Sequence, residues 1–161
     1  MTGWLLDTNV VAEIIRPSGS AAVKAWAGAQ PEASFFLSIL TIAEYEKGIA
    51  NLAESDPRRA VYAATRDALA ARFAGRLLPL SDSVVRRWGI IAGTVRRNTG
   101  RPPPVIDTLL AAAALEHDLY LATRNTRDVR HSGAVLFNPW EDDPAAYPIM
   151  PRWRRRRPPV G

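Results

Sequence analysis

The chain has 161 residues, 47% of them hydrophobic, and a formal net charge of +5; this suits one soluble domain with a single sizeable core. It has no cysteine, which excludes disulfides and thiolate metal sites, and its two histidines, His117 and His131, are too few for a histidine-rich zinc site. The metal chemistry left open is oxygen-ligated and suits magnesium or manganese.

The charge excess is local. Arg152, Arg154, Arg155, Arg156 and Arg157 account for all of it, leaving 16 basic against 16 acidic residues over 1–151. A basic tail of this kind is either a non-specific phosphate grip or a solvated end. Asp7 interrupts the first apolar run too early for a signal peptide, and no apolar run is long enough to span a bilayer. The expectation is a cytoplasmic protein with no membrane contact.

In chain order, Trp4 to Leu6 reads as a short buried strand and Thr8 to Ile15 as a helix stopped by Arg16-Pro17. Ala21 to Ala27 is a short amphipathic helix, and Ser34 to Ser38 a second strand. Thr41 opens a helix to Ala53, with Ile42, Tyr45, Ile49 and Leu52 at helical spacing. Asp56-Pro57 opens another, to about Phe73. Gly75 to Leu80 is a third strand, followed by a helix to about Asn98 and a stiff loop, Gly100-Arg101-Pro102-Pro103-Pro104. An alanine-rich helix runs from Asp107 to about Glu116; Tyr120 to Thr123 and Ala134 to Phe137 complete the strands. Strands alternating with helices predict an α/β fold: a mostly parallel sheet of about five strands, with helices on both faces. The expected domain is 1–141. Residues 142–161 read as a Pro/Arg-rich, flexible appendage.

Three carboxylates stand where apolar segments break into helices: Asp7 in Leu6-Asp7-Thr8-Asn9, Glu44 in Thr41-Ile42-Ala43-Glu44, and Asp107 in Val105-Ile106-Asp107. Each has a structural alternative. Asp7 suits an N-cap, Thr41-x-x-Glu44 a capping box worth about 1 kcal/mol, and Asp107 a helix dipole. In an open parallel sheet, however, such positions converge on the crevice at the carboxyl ends of the strands. Several buried like charges there require neutralisation, which a divalent cation provides. Asn125 and Asp128 follow the fourth strand toward the same edge.

These motifs, in this order, resemble the PIN-domain ribonucleases and, within them, the VapC- and FitB-like toxins of bacterial toxin–antitoxin pairs. The resemblance spans about residues 4–141. It rests on Leu6-Asp7-Thr8-Asn9-Val10, Ile42-Ala43-Glu44 with Lys47-Gly48, Ile106-Asp107, Leu121 to Asp128, and Phe137-Asn138-Pro139-Trp140-Glu141.

The resemblance implies a PIN-like fold and a magnesium-dependent endoribonuclease, with manganese as the alternative ion. Asp7, Glu44 and Asp107 fall on its metal-ligand positions, with Asp7 and Asp107 the principal ligands. The fourth acidic position is occupied by Asn125, so Asp128 is a candidate to supply the missing charge. Asn9, Thr123, Asn125 and Arg124 are implied supporting or phosphate contacts, with Arg127, Arg130, Arg96, Arg97 and Arg101 as nearby positive charge.

The implied partners are RNA, a cognate antitoxin and a second copy of the chain. The helices 60–73 and 84–98 are expected to form the antitoxin groove. The alternatives are a weakly or non-catalytic FitB-like partner in a DNA-binding repressor complex, or a housekeeping RNA-processing nuclease.

Overall fold

In the computed structural model, which describes residues 1–150, the buried triplet Trp4–Leu6 forms the central strand β1. It pairs in parallel with β2 (Phe35–Ser38) on one side and β4 (Tyr120–Ala122) on the other. β3 (Leu77–Leu78) lies outside β2 and β5 (Leu136–Phe137) outside β4, giving the all-parallel order β3-β2-β1-β4-β5. Leu6 stands opposite Leu37 and Ala122, so three neighbouring strands end level with one another. Continuous apolar runs, rather than alternation, are what a sheet buried on both faces requires.

The helices among the described residues are α1 (Thr8–Ile15), α2 (Ala21–Ala29), α3 (Ile39–Ala50), α4 (Arg58–Arg72), α5 (Asp82–Thr99), α6 (Val105–Glu116) and the four-residue α7 (Thr126–Val129). Side chains alternate across β1. Leu5 faces a core shared with α5 and α6, including Val84, Ile91, Leu110 and the buried run Ala111–Ala114. Trp4 and Leu6 face the other, with Val10, Val11, Trp26, Leu69, Phe73 and Phe137. None of the described helices is long and apolar enough to cross a membrane.

Close approach in the sheet makes one glycine indispensable. A Cβ on Gly3 would lie 2.3 Å from the carbonyl oxygen of Ser34. Because that oxygen is main chain and β1 is pinned on both sides, Gly3→Ala is expected to destabilise the fold by about 2 kcal/mol, read as a lower thermal midpoint.

The expected strands and main helices are present, with several shifts. α3 starts at Ile39 rather than Thr41, because the Ser38 hydroxyl accepts from the backbone N–H of Leu40 at 3.2 Å. Ser38 is therefore the cap, and Thr41–Glu44 forms no capping box. α6 starts at Val105 instead of Asp107; Pro104 O accepts from Thr108 N at 3.1 Å and from Thr108 Oγ1 at 2.5 Å. Neither strand β3 nor β5 reaches its expected length, and α7 was not foreseen. Helices α4 and α5 do not form the expected pair: the principal helix contacts are α5 with α6 and α3 with α4.

The change in sequence character at Trp140 is not a change in packing. The Tyr147 ring sits 4.9 Å from Phe137 and 5.3 Å from Tyr120, centroid to centroid. Tyr120 Oη donates to Pro148 O at 3.0 Å, and Met150 N donates to Met1 O at 2.9 Å. Residues 142–150 thus strap the amino ends of β1 and β4. The arginine cluster Arg152–Arg157 lies outside the described residues.

Candidate active site

The strand order turns at β1 and β4, the switch point at which open α/β sheets form their crevice. Asp7 follows β1 and Thr123 follows β4. Asp7 N continues the sheet by donating to Ala122 O at 3.0 Å, while Asp7 O accepts from Val10 N and Val11 N. Main chain on both sides fixes the residue before its side chain does anything.

That side chain is 5% exposed. Its Oδ2 accepts from Thr123 Oγ1 at 2.5 Å and from Asn9 Nδ2 at 2.6 Å. Burial pushes the Asp7 carboxyl above its usual range, and the charge of Glu44 adds to this; the Thr123 hydroxyl and the N–H groups of Thr8 and Asn9 oppose it. Asp107, in the first turn of α6, is raised by burial and by the charges of Asp7 and Asp128, against a hydrogen bond from the Asn125 side chain.

Glu44, on α3, accepts from the Thr8 hydroxyl, and Thr8 Oγ1 also lies 3.3 Å from the buried Thr41 hydroxyl. The structure therefore brings Asp7, Glu44, Asp107 and Asp128 into one electrostatic neighbourhood. It does not close them into a cage: among the described residues no three His, Asp or Glu side chains stand close enough to hold one ion together. The carboxylates are held apart by separate tethers, Thr123 and Asn9 on Asp7, Thr8 on Glu44, and Asn125 on Asp107.

The remaining candidates form a network behind these acids. Thr123, 1% exposed, also accepts from Asn125 N at 3.0 Å. Asn9 Oδ1 accepts from Arg124 N at 3.4 Å. The Arg124 guanidinium is stacked on Trp140, with Cζ 5.3 Å from the ring centroid. Trp140 is itself placed by Asn138, whose Oδ1 accepts from Trp140 N at 3.1 Å. Thr123→Val is expected to cost about 1–2 kcal/mol of stability, because it leaves Asp7 Oδ2 and Asn125 N short of a partner.

The sequence reading missed two contributors. Thr8 stands in the sequence only as a member of the Leu6-Asp7-Thr8-Asn9-Val10 motif, yet it holds Glu44 from 36 residues away. Trp140 was seen as part of a terminal motif, but its stacking on Arg124 has no local signal.

A family profile for the PIN domain matches residues 4–132. The chain is similar to the toxin FitB of Neisseria gonorrhoeae, 32% identical over 138 residues, covering 86% of this chain and 99% of FitB. It is also similar to the VapC ribonuclease Y4jK of Sinorhizobium fredii, 30% identical, covering 85% and 97%. Among solved structures, FitAB bound to an IR36 DNA fragment superposes with a TM-score of 0.76 at 30% identity, covering 87% of this chain and 97% of that one. FitAcB from Neisseria gonorrhoeae superposes with a TM-score of 0.74 at 31% identity, covering 85% and 98%. A five-stranded parallel sheet, acids gathered at its switch point, and matches over most of the chain agree: this protein belongs to the PIN-domain family, among its FitB- and VapC-like members.

Proposed function

We propose that the protein is a metal-dependent endoribonuclease and the toxin of a toxin–antitoxin pair. The observation that carries the reading is the buried Asp7 beside Asp107 and Glu44, with the proton affinity of Asp7 and Asp107 raised by burial and by neighbouring carboxylates. The donor set fits a hard divalent cation: the candidate ligands are all carboxylates, and their surplus negative charge is what such an ion offsets. Asp7 and Asp107 are the principal ligands, and Glu44 adds the third charge from α3. A bound magnesium or manganese ion supplies Lewis acidity toward the scissile phosphate and makes water a stronger nucleophile.

The chain's own groups do the positioning. Thr123 and Asn9 fix the rotation of Asp7, Thr8 holds Glu44, and Asn125 holds Asp107. Asn125 therefore acts on the site by hydrogen bonding, while Asp128 contributes charge. Arg124, steadied by Trp140, offers a cation to a substrate phosphate, with exposed Arg96, Arg97, Arg101 and Arg127 contributing further attraction.

The relatives named as toxins and the neighbours solved as FitAB and FitAcB support a cognate antitoxin partner. The reading includes a cytoplasmic location and pairing of the chain with itself.

The test is incubation of partner-free protein with a mixed RNA pool that includes transfer RNA. Magnesium, manganese and excess chelator are compared, for the wild type and Asp107→Ala. Discrete fragments that require both the metal and Asp107 support the nuclease; intact RNA with well-folded protein sinks it. A second reading, a non-catalytic partner in a DNA-binding repressor complex, draws on Asn125 in place of a fourth acid and on FitAB having been solved on DNA. Growth arrest that persists in Asp7→Asn would favour it.

A further inference from the structure

Beside the acids lies a cleft of about 610 Å³, bounded by α1, α3 and α4, that begins at Thr8 and Glu44 and continues over Tyr45, Gly48, Val61 and Tyr62. We propose that this cleft is a nucleobase subsite, in which Tyr62 stacks on a base next to the scissile phosphate. The proposal rests on the nuclease reading above and adds to it the element that seats the nucleotide beside the cut.

The geometry is specific to Tyr62. Glu44 and Gly48 are one helical turn apart on the same face of α3, about 6 Å along its axis. A Cβ on Gly48 would lie 3.3 Å from Tyr62 Cδ2 and 3.4 Å from Cε2, so the missing side chain is what lets the ring settle against α3. Tyr45 closes a second side, its ring 6.3 Å from that of Tyr62 at an interplanar angle of 86°. Thus held, Tyr62 still keeps 37% of its surface exposed.

An aromatic ring fixed by backbone and by a second ring loses little freedom when a flat ligand stacks on it. The ligand must also be continuous with something that suits the acid site. A nucleotide meets both needs, its phosphate toward the cation that the acid site would hold and its base toward Tyr62. Arg16 lines the same cleft and, although paired with Glu13 at 2.7 Å, puts a cation within it for a neighbouring phosphate. A base stacked on an aromatic side chain is a recurrent, sequence-tolerant device for single strands.

The experiment uses fluorescein-labelled oligoribonucleotides built around a mapped cleavage site, with one abasic nucleotide moved stepwise across it. Wild type, Tyr62→Ala and Tyr62→Phe are compared by KM with magnesium, and by dissociation constant with calcium in place of magnesium. Tyr62→Ala is expected to weaken both about tenfold for intact RNA. It should add nothing when the abasic position is the one that normally stacks, and Tyr62→Phe should restore wild-type values.

An equal loss on intact and abasic RNA, or no loss at all, overturns the subsite. Wild-type protein that cuts no RNA removes the nuclease reading instead, and in that case the oligonucleotides are those of the mixed pool and the calcium binding series still decides the subsite. If Tyr62→Ala leaves RNA binding intact but loosens the complex with the co-encoded partner protein, the cleft belongs to that partner and the proposal fails.

Discussion

Asparagine in place of Asp7 is expected to abolish RNA cleavage and at the same time to make the metal-free protein more stable. On the proposed reading Asp7 would be a principal metal ligand, and losing an ion worth several kcal/mol to the transition state corresponds to about a thousandfold in rate. The gain in stability follows from burial. The carboxylate is 5% exposed, and its proton affinity is raised by desolvation and by Glu44, so its charge works against the fold when nothing neutralises it.

Asparagine keeps an oxygen for Thr123 and Asn9 while removing that charge. We expect about 1–2 kcal/mol of stabilisation in chelator, which raises the thermal midpoint by about 3–6 °C for a domain of this size.

The pH dependence has a definite sign. Asp7 titrates higher in the folded than in the unfolded chain, so the folded state binds its proton more tightly. The destabilisation from its charge is full at neutral pH and is relieved as pH falls through the raised value. The wild-type and Asp7→Asn stability curves should therefore converge on acidification. Added magnesium should narrow the same gap at neutral pH by stabilising the wild type alone. An Asp7→Asn protein less stable than wild type in chelator would mean that the carboxylate is a net favourable charge, and the argument for a cation would lose its main support.

The second large effect is expected from the strap. A chain ending at Asp142 should melt about 6–12 °C below one ending at Met150, because it loses the Tyr147 and Ile149 packing and the Pro148 and Met150 hydrogen bonds, about 3 kcal/mol together. Both shortened chains lack the arginine cluster, so the comparison isolates the strap from the tail. The strap joins Met1, Trp4 and Tyr120, at the amino ends of the strands, whereas Asp7 and Thr123 stand at the carboxyl ends. Fragments cut at low temperature should therefore be the same for both. Equal melting temperatures would show that residues 143–150 contribute nothing to the fold. Tyr147→Ala in the full chain should reproduce most of the loss, since this ring touches Trp4, Tyr120 and Phe137.

The order of strands and helices was legible because it depends on local pattern: Trp4-Leu5-Leu6 and Tyr120-Leu121-Ala122 are apolar runs of strand length, and the alanine-rich helix before the second of them has the small side chains that close packing needs. Helix starts were less legible. Ser38, not Thr41, caps α3, because a hydroxyl at the end of a strand caps as well as one three residues later, and only the strand's length chooses between them.

The candidate acids were visible for a similar reason: Asp7, Glu44 and Asp107 each break an apolar segment, and the order of those motifs resembles one family. Legible along the chain, then, are the α/β class, the parallel sheet and the acids carried to its switch point, because periodicity and chain order act through neighbours along the chain. Contacts across the fold alone settle that Thr8 holds Glu44, that Asn125 holds Asp107 while Asp128 adds charge, that α4 packs on α3 to open a cleft under Tyr62, and that Tyr147 and Ile149 pack against the core. Each of those depends on side chains brought together across the fold, and their meeting is set by packing that no local pattern encodes.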